Sequence, residues 1–247
     1  MQKETKAYDV GSLRRSEWIG GILYWPMFLF GSQVIAILLV IKLWPSGDET
    51  VEAARINLVF GAINVVAVTA IFRRFLAEQL RRLTERGWKL FGDLILGLLS
   101  YISLVYAAAF VEEFLISAFG VAYFNTNQEA VEGFVRSVPL IALVDICLLA
   151  PLTEEVLTRG LIFTGLYRKS RTLAYAASML VFSLAHCAAV MFDQPVGVTV
   201  ISVLSYLPAG YVLAWSYERS GSIWTPIFLH AAINAVTLLL QAFLMQR

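Results

Sequence analysis

The stretch 138–159, VPLIALVDICLLAPLTEEVLTR, is apolar from Val138 to Leu152 apart from Asp145, then sets Glu154 beside Glu155 and places Arg159 one helical turn further on. An ionised side chain near the bilayer centre costs at least about 2.5–3.5 kcal/mol, so two adjacent carboxylates persist there only if they are partnered or used. The stretch therefore predicts a membrane helix that carries polar chemistry. That reading decides the fold class.

The rest of the chain agrees with it. Its 247 residues are 59% hydrophobic and 15% charged, with mean hydropathy +0.72, a composition outside the range of soluble domains. A membrane helix needs roughly 20 mostly apolar residues. Suitable runs lie at 19–44, 56–72, 90–111, 138–152, 172–192, 196–217 and 223–244. An all-α, polytopic bundle of about seven membrane helices follows, with an eighth, short or re-entrant, allowed over 111–124, where Glu112 and Glu113 interrupt the run. The first run is too long for a signal peptide, and no small-residue cleavage site follows Trp44-Pro45, so it reads as a retained helix. With no repeat, linker or low-complexity segment, residues 1–247 read as one membrane domain.

A net charge of +1 gives no basic field for nucleic acid. The distribution says more. Lys3, Lys6, Arg14 and Arg15, then Arg73 to Lys89, then Arg168, Lys169 and Arg171 fall in alternate loops, which by the positive-inside rule puts them and the N-terminus in the cytoplasm. The acidic loops 45–54 and 125–133 are then outside. Each basic cluster reads as a topological anchor. Cys147 and Cys187, both inside apolar runs, are expected to be unpaired and buried.

The chain holds two histidines, His186 and His230, each inside a predicted membrane helix. One such imidazole is ordinarily a helix-to-helix hydrogen bond; two beside a buried glutamate pair suggest a site. His230 and Asn234 share a helix face, as do Phe182 and His186 and also Glu155 and Arg159, because each pair is spaced i, i+4. Small Ala231 and Ala232 let another helix approach. Phe182 reads as a packing wall, and Asn234 could equally bond a neighbouring carbonyl. Glu154 is turned about 100° from Glu155, so Glu155 can pair with Arg159 while Glu154 faces another partner, such as a histidine. Pro151, lacking an amide hydrogen, suits a local break that admits water. A carboxylate, two imidazoles and an amide in a pocket fit hydrolysis: a base for water, a histidine to orient it, and donors for an oxyanion. Asp145 could line the same cavity or be simply hydrogen-bonded. Glu112 and Glu113 lack an arginine at position 117 and read as a rim feature.

Glu154-Glu155-x-x-x-Arg159, Phe182-x-x-x-His186 and His230-x-x-x-Asn234, in that order on successive helices, resemble the motifs of the CPBP intramembrane proteases, the CAAX-protease and bacteriocin-processing (Abi) family. The resemblance covers a core of about 138–240. It implies a glutamate-dependent endopeptidase with a cavity facing the cytosol. Glu154 would be the base and His186 its partner, His230 and Asn234 the oxyanion site, with Glu155, Arg159 and Phe182 in support. No cofactor is expected; were zinc used, Glu154, His186 and His230 would be its ligands. The substrate would be a peptide or a lipid-modified protein tail, prenylated in the family's eukaryotic role, and the expected location a bacterial inner membrane. A silent immunity or regulatory protein of the same family is the alternative, and a proton-coupled transporter a more distant one.

Overall fold

The computed structural model describes residues 9–120, 123, 126–188 and 194–244. Among them are nine helical stretches and no strand: α1 Arg15–Leu43, α2 Glu49–Ile71, α3 Arg73–Arg86, α4 Lys89–Phe119, α5 Thr126–Ser137, α6 over 139–167, α7 Arg171–Cys187, α8 Val196–Ser220 and α9 Trp224–Leu244. Seven are the expected apolar helices, and the protein is an all-α membrane bundle. Helices α1, α2, α4 and α8 are long and apolar enough to cross a bilayer on their own; α9 is apolar but shorter. Leu23, Phe30, Val66, Phe110 and Leu239, all on the outside at 69–76% exposure, suit contact with acyl chains rather than water.

Two details differ from the sequence reading. The 111–124 stretch makes no separate helix: α4 runs through Glu112 and Glu113 to Phe119, since neither residue breaks a helix, and 121–122 and 124–125 lie outside the described residues. The 138–152 run continues past the glutamates to Tyr167, with the buried Glu155 and Arg159 paired to each other inside the bundle. The last part of the 172–192 run, 189–193, also lies outside the described residues.

The helices α3 and α5 are amphipathic and sit at opposite ends. In α3, Phe75, Leu76 and Gln79 are buried while Arg73, Arg74 and Arg81 are exposed. It is tied to three other segments. The Gln79 carbonyl accepts from Ser222 Oγ at 2.8 Å and its side-chain oxygen from the Ile223 N–H at 2.9 Å. Arg82 reaches Asp9 at 3.1 Å, and the Phe75 N–H donates to Glu17 at 3.0 Å. The Asp9 carboxyl is held below the usual range, chiefly by the Gly11 N–H that donates to it, with Arg82 adding to the effect. Glu218, 2% exposed, accepts from Tyr167, Tyr175 and Arg171. The end bearing Asp9 and α3 is thus closed by charge-assisted hydrogen bonds.

Beneath that end lies the main core, in which Phe72, Phe75, Val156, Leu157, Leu161 and Phe163 are each at most 2% exposed. A second cluster joins Phe182, Val212, Leu213, Leu229 and Ile233. Helix α6 passes through the middle of the bundle, against α2, α7 and α9.

Candidate active site

The polar groups of the site project from α6, α7 and α9. The backbone of α6 widens to π-type spacing over Asp145–Leu149 and again over Val156–Phe163, so Glu154 and Glu155 sit on a short α-helical piece between two π segments. Pro151 accounts for part of this, since it cannot donate to the carbonyl four residues back. Such segments recur at functional sites because they displace side chains from regular helical register.

The adjacent glutamates have different surroundings. Glu155 and Arg159 are both fully buried, with Arg159 Nη1 at 3.1 Å from Glu155 Oε1. Arg159 also donates to Thr158 Oγ1 and to the Gly210 carbonyl, each at 2.8 Å. Its guanidinium lies 4.6 Å over the Phe182 ring. That carbonyl is in reach because residue 210 is a glycine: a Cβ there would meet the α7 backbone at Met179 Cα at 3.2 Å. The ion pair expected from the i, i+4 spacing is present.

Glu154 keeps 24% of its side chain exposed, and its Oε2 lies 3.6 Å from His186 Nε2 and 4.0 Å from His230 Nε2. Neither approach is a hydrogen bond, and Oε2 itself is buried with no hydrogen-bond partner. The other nitrogen of each ring is engaged. His186 Nδ1 donates to the Phe182 carbonyl at 2.8 Å, and His230 Nδ1 donates to Glu155 Oε1 at 3.0 Å. Carbonyl and carboxylate oxygens only accept, so both rings carry a proton on Nδ1 and direct Nε2 at Glu154.

Aromatic rings fix these orientations. Phe182 stands 4.4 Å from the His186 ring and edge-on to His230 at 5.6 Å. It therefore orients three polar side chains rather than only walling the pocket. Tyr206 stacks on the His186 ring at 4.6 Å. Asn234 donates to the Ile146 carbonyl at 2.8 Å, within the first π segment. One amide hydrogen is thereby used across helices, and the other is left for a second partner.

A cavity of about 310 Å³ reaches Glu154 between α1, α2, α5 and α6. Its polar lining includes Gln33, Asn57, Asn64, Asp145 and Thr153. Asp145 lies in this wall as considered, and Gly61 makes room for it: a Cβ at 61 would sit 2.5 Å from Asp145 Oδ1. Glu112 and Glu113 do not line it. Gln33, Asn57 and Asn64 were not singled out from sequence, although a lone amide within an apolar run was the available signal. Cys147 and Cys187 are free and buried. No three His, Cys, Asp or Glu side chains among the described residues are grouped to hold a metal ion as they stand, Glu154, His186 and His230 included.

Residues 135–236, helices α6 to α9 with the end of α5, match the family model "Type II CAAX prenyl endopeptidase Rce1-like". The chain is also 24% identical over 236 residues to "Putative membrane peptidase YdiL" of Bacillus subtilis (strain 168), covering 93% of this chain and 90% of that protein. No solved structure matches it. The matched segment contains every residue of the Glu154, His186 and His230 cluster, so the likeness to that family model falls on the site itself.

Proposed function

We propose that the protein is an intramembrane endopeptidase of a bacterial cell membrane that hydrolyses a peptide bond with water activated by Glu154. The observation that carries this is the pair of Nε2 atoms converging on the buried, unpartnered Oε2 of Glu154. Water bound between Glu154 Oε2 and His186 Nε2 would give a proton to the carboxylate as its oxygen attacks the scissile carbonyl. Glu154 then returns that proton to the leaving amine, which balances the reaction. The carbonyl oxygen, negative in the tetrahedral intermediate, would be met by His230 Nε2–H and the second Asn234 N–H. With Nδ1 committed to Glu155, His230 can donate from Nε2 only as the imidazolium, and the Glu155 carboxylate supplies its counter-charge. In this reading Glu155, Arg159 and Phe182 position the groups that react. No step is routed through a metal.

The test is cleavage of a panel of fluorogenic peptides, with and without farnesylated ends, by protein purified in detergent. Cleavage of at least one peptide, lost in Glu154→Gln, supports the reading. Binding without cleavage across the panel would favour the immunity or regulatory alternative.

A further inference from the structure

Among the described residues, the cavity that reaches Glu154 lies toward one end of the bundle. Toward the N-terminal end, the ring and aliphatic side chains from Phe72 to Phe163 in the main core are packed with almost no exposure. Toward the other end lies the polar cavity, flanked by Val131 and Phe134 of α5. A polar lining suits water and substrate groups rather than acyl chains, so the cavity side is the route for both.

The two ends differ in charge. Arg82 with Asp9, Gln79 with Ile223, Arg171 with Glu218 and Tyr217 with Val10 place the N-terminal segment, α3 and the loops after α6 and α8 together. That end collects Arg14, Arg15, the arginines of α3, and Arg168 to Arg171. Among the described residues only Lys42, Arg55 and Arg136 belong to the cavity end, where the α2 start is acidic at Asp48, Glu49 and Glu52. Arg55 is occupied there by the Trp44 and Pro45 carbonyls at 2.9 and 2.8 Å. Under the positive-inside rule the N-terminal end is cytoplasmic. A cytoplasmic Asp9–Arg15 segment and a cytosol-facing cavity exclude each other in this fold, because they lie at opposite ends.

We infer that the Glu154 cavity opens on the extracytoplasmic face and takes peptide segments presented from outside, such as secreted peptides or outward-facing membrane-proximal segments, instead of cytoplasmic tails. The substrate class rests on the peptidase reading; the sidedness does not.

The test uses single cysteines in the full chain with Cys147 and Cys187 replaced by alanine, or in the native background if that variant does not fold, since both native thiols are buried. Asn57→Cys reports the cavity and Arg81→Cys, whose native side chain is 70% exposed, reports α3. A membrane-impermeant maleimide should label position 57 in spheroplasts and not in inverted vesicles, and position 81 the reverse. Labelling of 57 only in inverted vesicles, from both faces or from neither, overturns the inference, as does labelling of 81 from outside. A reporter peptide should be cleaved when added to spheroplasts and spared when supplied at the cytoplasmic face. Cleavage confined to the cytoplasmic face overturns the substrate class. Cleavage at neither face, with labelling as expected, overturns the peptidase reading and leaves the sidedness standing.

Discussion

Replacing Arg159 by methionine keeps much of its length and removes its charge, so the cost is set by what the guanidinium satisfies. Glu155 would lose its only arginine while fully buried, and the Gly210 carbonyl and Thr158 hydroxyl would each lose a donor. Breaking a buried ion pair by deleting one partner costs about 3–5 kcal/mol, because the remaining charge is uncompensated. The stack on Phe182 is worth about 0.5–2 kcal/mol more, although contributions from one network do not simply add. Arg159→Met should therefore destabilise the protein by about 3–5 kcal/mol in unfolding from detergent. The double variant Glu155→Gln with Arg159→Met should recover part of that loss, since it removes the stranded charge while the new side-chain amide still offers an oxygen to His230. A loss below about 1 kcal/mol for Arg159→Met, or a double variant no more stable than the single, would refute the view that Glu155 is a structural partner of the arginine.

Three further outcomes follow from the same geometry. Tyr206→Ala should lower kcat by up to about tenfold by removing the ring stacked on His186, worth about 0.5–1.5 kcal/mol, while Tyr206→Phe retains most activity; equal losses would assign the effect to the hydroxyl. Glu218→Gln removes the charge that Arg171, Tyr167 and Tyr175 share and should cost about 1.5–3 kcal/mol of stability with cleavage per folded molecule unchanged, measured by unfolding and activity on one sample. Prolonged chelation should leave cleavage intact, and a loss restored by zinc alone would overturn the metal-free mechanism.

How far the sequence could be read is best seen residue by residue. The Glu155–Arg159 pair was legible because i, i+4 spacing on one helix fixes a shared face. Spacing also separated Glu154 from Glu155, and the structure brings His186 to Glu154 as expected. It could not say that His230 presents one nitrogen to each glutamate, because that depends on how α9 rotates against α6. Asn234 followed the plainer of its two readings by bonding a neighbouring helix carbonyl. The π segments of α6 were only half signalled: Pro151 marks the first, and nothing in the 156–163 composition marks the second. The arginines of α3 were legible as a basic face, but Gln79, which caps the α8–α9 turn, carries no periodic signal. The end at which the cavity opens depends on contacts of α1 and α2 with α5 and α6, two pairs that are far apart in the chain and outside the reach of local pattern.

The split between the two neighbouring glutamates is the account's central claim, and purified Glu154→Gln and Glu155→Gln compared side by side for unfolding and peptide cleavage test it most directly. Glu154→Gln should unfold like the parent chain and cleave nothing above background. Glu155→Gln should unfold more easily, having stranded Arg159, and retain measurable cleavage while folded. Full activity in Glu154→Gln, or equal loss of stability in both variants, would contradict it.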